Sequence, residues 1–393
     1  MSDLAQAEAR RMGAVTAVGL PRGRRSWSAL FARRAGYLFS PIVDFLCLGG
    51  GSLIAMVLLW LLLPKAGELQ GIVGLVALVV AHIINHPHFA HSYQIFYRNF
   101  RRKLFGAEYA PRLRLRYAAA GLIVPAAMGG LLAAGVLAQW VVLLGLAVNA
   151  MMLLVGWHYV KQGYGMIIVD SVLKRQFLND QEKRLLRING YCCWALAWIL
   201  ANQSFVERDY WGIPYHTFAL PQAVLALGWA AALASTAATL WMLGRRWRAS
   251  GSLPFNGVIA YFSALYAWTV FVSFNPLFLL VVPAFHSLQY LVVVWRYEAN
   301  AAKAPQANGA ASGSSGAWVR FSSFVAIGFV LGYLGFWGMP EQLNSIVPYQ
   351  KEVLGPSLFL FLFWIFINVH HYFIDNVIWR GENPDTRRYL FGR

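Results

Sequence analysis

Ten stretches of mostly apolar residues dominate the chain, and a helix needs about 20 such residues to cross a bilayer. They run over 41–63, 71–97, 117–136, 139–172, 188–205, 218–243, 255–274, 277–295, 317–338 and 356–379. Segments in lipid must satisfy their own backbone polar groups, so the pattern predicts an all-α, polytopic membrane bundle of about ten helices. The fourth stretch is too long for an upright span and reads as tilted, or as running into the interface beyond Lys161. Composition agrees: 59% of the 393 residues are hydrophobic and 12% are charged. These shares exclude a disordered chain and an ordinary soluble enzyme. Cys47, Cys192 and Cys193 all lie in apolar stretches and read as packing residues, not as a disulfide framework.

Charge sets the orientation. With the N-terminus inside, all but three of the 33 Lys and Arg fall on the cytoplasmic side or at helix ends facing it. The exceptions are Lys65, Arg208 and Lys351. Both termini are therefore expected in the cytoplasm, in a bacterial-type inner membrane. The net charge of +17 is then explained by basic loops facing an anionic leaflet, without a nucleic-acid partner. No cleavable signal peptide is visible in the Arg-rich start. The expected organisation is a basic N-terminal segment (1–36) and a membrane part carrying eight spans (37–298). A flexible linker rich in Ala, Gly and Ser (299–316), two further spans (317–380) and a basic tail (381–393) complete it.

Eight of the nine histidines fall inside predicted spans: His82, His86, His88, His91, His158, His286, His370 and His371. Ionisable residues there are costly and usually face a bundle interior. All eight sit on even-numbered spans, which run in one direction. His88, His286 and His370 each stand ten residues before an arginine (Arg98, Arg296, Arg380), so at about 1.5 Å per residue they share one depth, roughly 15 Å from the boundary. His158 reaches the same layer if its helix continues past Lys161. His82 and His86 share one face of the second span, and His88 and His91 another. A kink at Pro87 is expected to turn both pairs toward one pocket. In the tenth span Asp375 lies four residues after His371, where it can orient an imidazole or ligate directly. Tyr290 stands four residues after His286, as a candidate proton donor.

Neutral imidazoles with a carboxylate suit iron, zinc, copper or manganese. The expected first ligands are His88, His158, His286 and His370, with His86 and His371 next and His82 and His91 in outlying roles. A metal in an apolar bundle points to a lipid-like substrate and to oxygen chemistry protected from water.

Four motifs resemble the bacterial β-carotene central-cleavage dioxygenases (the Brp/Blh family): Pro87-His88, His158-Tyr159, Phe285-His286-Ser287, and His370 through Asp375. The resemblance implies histidine-bound iron(II) and O2-dependent cleavage of a carotenoid. Three positions depart from the family pattern. Phe89 replaces a Gly after the first motif's His, no Gly follows Tyr159, and Tyr290 replaces a second His. A weaker resemblance is to membrane di-iron hydroxylases and desaturases, through His82-x3-His86 and His370-His371, although Ser92 after His91 breaks their middle box. The expected cofactor is thus one or two iron ions. The expected partners are O2, a lipid or isoprenoid from the bilayer and an unidentified electron donor. A haem-binding electron-transfer or assembly protein is the alternative of another class.

Overall fold

The first long helix among the described residues shows how the sequence starts its elements. Ser40 caps it, its Oγ accepting from Val43 N at 3.3 Å, and Pro41 takes the first position, where no donor is needed. The buried Asp44 carboxylate accepts from Leu38 N and Phe39 N at 2.6 and 2.9 Å, fixing the chain on its way in. This computed structural model describes residues 35–392 except 63–66, 205, 207, 268, 270–277 and 305–313. The predicted basic segment 1–36 therefore lies almost wholly outside the described residues.

A helix stands at each of the ten predicted stretches. Among the described residues seven are long and apolar enough to cross a membrane: α1 (Pro41–Leu61), α2 (Gly71–Tyr97), α3 (Pro111–Leu137), α4 (Val141–Leu173), α6 (Gln222–Ser250), α9 (Ser315–Ile346) and α10 (Leu358–Ile378). The other three are α5 (Asp180–Ser204), α7 (Phe255–Tyr266) and α8 (Phe278–Lys303). α5 opens on charged residues, and α7 is short over its described part. The architecture is that of a polytopic membrane helical bundle. At 33 residues α4 is about 50 Å long, well beyond a bilayer core of about 30 Å, as its sequence length implied. The all-α expectation needs one small amendment. Two-residue strands β1 (Asp209–Tyr210) and β2 (Ile213–Pro214) pair antiparallel across Trp211 and Gly212, whose positive φ values of 54° and 89° suit a tight hairpin.

Beside the widened, π-helical turn Leu46–Gly50 in α1, three helices contain one that ends two residues before a proline. They are Ala81–Asn85 before Pro87 in α2, Ala119–Ile123 before Pro125 in α3, and Leu334–Gly338 before Pro340 in α9. Proline lacks an N–H and its ring collides with the carbonyl four residues back; the wider turn relieves both. Those carbonyls are Gly121 O and Phe336 O in α3 and α9. Each instead accepts from a side chain on another helix, Tyr97 Oη at 3.0 Å and Trp364 Nε1 at 3.0 Å.

Close helix contacts need glycine at two places that frame the site. Gly49 in α1 has φ +158°, and a Cβ there would lie 2.8 Å from Ser263 Oγ of α7. Gly332 in α9 lies against α2, where a Cβ would meet the His86 carbonyl carbon at 2.8 Å. At the arginine-rich end, the chain after α10 folds back on α8. Arg296 donates to Tyr37 O, Leu38 O and Leu390 O, and Asn300 donates to Tyr389 O. α8 continues to Lys303 and α9's helix starts at Ser314, so the predicted linker over 299–316 overlaps both; 305–313 lie outside the described residues.

Candidate metal centre

Four helices that the sequence placed in one direction each send one buried imidazole to a common point. His88 comes from α2, His158 from α4, His286 from α8 and His371 from α10, all at most 7% exposed. Asp375, one turn after His371, joins them. Two overlapping groups could hold a metal ion: His88, His158 and His286, and His158, His371 and Asp375, with one ligand atom from each residue lying within 4.8 Å of the others in its group.

The contacts make little sense as hydrogen bonds alone. His371 Nε2 is 2.9 Å from His88 Nε2 and 3.1 Å from His158 Nε2, with Asp375 Oδ2 at 3.4 Å. His88 Nδ1 faces the Asn85 carbonyl at 3.0 Å, to which it must donate, so neutral His88 presents a bare lone pair at Nε2. A single proton on His371 Nε2 cannot serve both the His88 lone pair and the Asp375 oxygen. Both nitrogens of His286, His371 Nδ1 and Asp375 Oδ2 are buried with no hydrogen-bond partner among the described residues. A cation at this point would resolve the crowding. Two nitrogens bound at about 2.1 Å and at right angles stand about 3.0 Å apart, which is the spacing seen.

The surroundings hold these groups in place. Ser287 Oγ lies 2.9 Å from His88 Nδ1 and donates to Asn85 Oδ1 at 2.7 Å. Tyr159 stacks on His286 with ring centroids 3.8 Å apart, and Phe89 packs on His88 and His371 at 4.3 and 4.7 Å. Asp375 Oδ1 accepts from Tyr290 Oη at 2.9 Å; Tyr290 Oη in turn accepts from Trp379 Nε1 at 3.2 Å and lies 2.5 Å from Ser92 Oγ. Asp375 thus faces the same nitrogens that converge on the centre, with Oδ2 on the ligand side, as a direct ligand would. Tyr290 anchors that carboxylate.

The remaining histidines lie elsewhere. His370, expected as a first ligand, points away from the centre: its Nδ1 meets Tyr93 Oη and its Nε2 meets Ala120 O, both at 2.8 Å. The cause is rotation, since neighbours on a helix point about 100° apart and only one of the pair can face the centre. His371 takes its place. His86 stacks on Phe336 at 4.4 Å and His82 on Trp337 at 5.4 Å, both toward α9. His91 stacks on Phe324 at 4.4 Å and meets Gln94 Nε2 at 3.1 Å. The expected kink at Pro87 therefore does not bring both histidine pairs into one pocket. Asn85, Ser287, Ser92 and Trp379 have no site role in the sequence reading; polar Asn85 and Ser287 inside apolar runs are the signal that could have found the first two.

Fold and site together define a class: a helical, multi-pass membrane protein with a buried histidine and carboxylate group that could hold a metal ion. No protein-family model, curated protein or solved structure matches the chain.

Proposed function

We propose that the protein is a membrane oxygenase that holds one iron ion with His88, His158, His286, His371 and Asp375 and oxidises an apolar lipid or isoprenoid using O2. The observation that carries this reading is the approach of His88 Nε2 and His158 Nε2 to His371 Nε2, at 2.9 and 3.1 Å, inside an apolar bundle. An all-nitrogen and oxygen donor set suits iron, and five such donors leave one position of an octahedral shell open. When bound, iron would supply O2 binding and electron transfer beside an apolar chain. Phe89 and Tyr159 exclude water from two sides. Tyr290 holds a proton at Oη, hydrogen-bonded to Asp375 Oδ1, where it can pass to that carboxylate. The motif resemblance to carotenoid-cleaving dioxygenases supports cleavage of a polyene as the specific reaction. The proposed topology has ten spans, with both termini on the cytoplasmic side of a bacterial-type inner membrane.

Two alternatives fit the geometry less well. The two groups share His158, whose Nε2 has one lone pair and serves one ion, which leaves only His371 and Asp375 of these residues for a second. The His82 and His86 box also faces α9 rather than the centre. A haem held by two histidines needs a slot for the macrocycle between them. Here the rings of His88, His158 and His286 pack on one another or on His371 at 4.5–5.4 Å.

The test uses membranes from cells making the protein, supplied with iron and reductant. An O2-dependent change in extracted carotenoids or acyl lipids is expected, and His286→Ala should abolish it together with bound iron. Unchanged extracts from iron-loaded protein contradict the oxygenase reading.

A further inference from the structure

A neutral imidazole carries one N–H and one lone pair. When the lone pair turns to an ion, the N–H on the other nitrogen needs an acceptor, which for metal-bound histidines is a carboxylate, a carbonyl or a water. His286 belongs to the candidate ligand group, yet neither of its nitrogens has a hydrogen-bond partner among the described residues. Tyr159 stacks on the flat face of the ring and leaves its edge, where the nitrogens lie, uncovered.

A cavity of about 20 Å³ lies beside His286, between α1, α4, α7 and α8. A water needs about 10–15 Å³, so the space suits one water and not a lipid chain. Ser52 of α1, Ser263 of α7 and Gln289 of α8 line it with His286, and all four are at most 5% exposed. Ser52 brings a second unmet group, since its Oγ is also buried with no partner among the described residues. A serine inside a helix can bond the carbonyl four residues back. Here that is Leu48 O, which accepts from Gln289 Nε2 instead. Leaving such groups bare costs about 1–3 kcal/mol each, so two beside one cavity call for an occupant. Gly49, one turn before Ser52, lets α1 approach closely enough for Ser263 Oγ to donate to Gly49 O at 3.4 Å. Gln289 Oε1 accepts from Gln162 Nε2 at 3.2 Å. Both the Ser263 and the Gln289 oxygen therefore keep a lone pair that can accept.

We propose that this cavity holds one resident water, which accepts from the His286 N–H and hydrogen-bonds to Ser52 Oγ, so that Ser52 is a positioning residue for a metal ligand. The proposal rests on the metal reading for the role of His286. The walls supply what a buried water needs, two to four polar partners. The His286 N–H donates to it, Ser52 Oγ meets it from α1, and the Ser263 and Gln289 oxygens stand ready for its protons. Held in this way, the imidazole keeps one tautomer and one ring orientation. An apolar occupant is not matched, because it would leave the Ser52 hydroxyl and the His286 N–H bare.

The test compares full-length Ser52→Thr and Ser52→Val proteins in detergent. The two new side chains have the same shape and differ in one hydroxyl, so a packing role would make the variants alike. Each protein, freed of metal, is titrated with Co2+, whose visible bands report its binding. Ser52→Thr is expected to bind close to the wild type, and Ser52→Val about tenfold more weakly, the low end for losing an outer partner of a ligand. A high-resolution structure of the metal-free wild type should show one water within hydrogen-bond reach of both Ser52 Oγ and a His286 nitrogen. Equal Co2+ affinity in the two variants, or no water bridging Ser52 and His286, would overturn the proposal. A wild type that takes up no Co2+ refutes the metal reading instead, and the structure alone then decides the water.

Discussion

Purified His371→Ala protein is expected to bind its metal at least about a hundredfold more weakly than the wild type, while His370→Ala keeps it. Removing even an outer partner of a ligand costs about 10–100-fold in affinity, and His371 sits at the middle of the group rather than behind it. Its Nε2 is the one atom close to both His88 Nε2 and His158 Nε2. His370 is bound instead to Tyr93 and Ala120 O, so its loss frees a tyrosine hydroxyl and a π-turn carbonyl and does not touch the centre. Metal content per chain after dialysis against a weak chelator checks this. Equal loss in both variants would point to general unfolding, and loss only in His370→Ala would invert the assignment.

The second large effect concerns stability. Arg98 ends α2 and grips Glu298 of α8 with two hydrogen bonds, Nη1 to Oε1 at 2.7 Å and Nη2 to Oε2 at 2.5 Å. The Glu298 side chain is 4% exposed and that of Arg98 is 41% exposed. The pair is therefore unequal. Arg98→Ala strands a buried carboxylate and should cost about 3 kcal/mol, near the lower end for breaking a buried pair. Glu298→Gln leaves an arginine that still reaches water and should cost less. Thermal unfolding in detergent is expected to rank wild type above Glu298→Gln above Arg98→Ala, with Arg98→Met plus Glu298→Met recovering part of the loss. Equal midpoints for the wild type and Arg98→Ala would show that the pair contributes nothing.

Much of this was legible in the sequence because lipid simplifies the rules. Apolar runs of spanning length placed a helix at all ten positions. The even-numbered spans and the distances to Arg98 and Arg296 pointed to His88 and His286, and His158 followed from its helix running past Lys161. The distance to Arg380, however, selected His370 over His371. Depth along a helix can be counted, but rotation about its axis needs a polar face and an apolar face to read it from. α10 is apolar and buried on several sides, with both His370 and His371 at 1% exposure, so the pattern carried no rotational signal. The π-turn before Pro87 was equally hidden. Proline announces a disturbance, but a kink and a widened turn aim the preceding residues differently, and here the wider turn sends His86 toward Phe336 while His88 faces the centre. Asp375 and Tyr290 were both identified, Tyr290 as a candidate proton donor four residues after His286, but not the contact between them. A carboxylate contact between α8 and α10 cannot be read from residues separated by 85 positions.

The central claim is that one metal ion sits among His88, His158, His286, His371 and Asp375. X-ray absorption at the metal edge of the purified, iron-loaded protein tests it most directly. The expected spectrum shows a nitrogen and oxygen shell at about 2.0–2.2 Å, outer scattering from at least three imidazoles and no sulfur shell. In His371→Ala the metal signal should fall with metal content. A sulfur shell at about 2.3 Å, a porphyrin pattern, or an imidazole signal unchanged in His371→Ala would contradict the account.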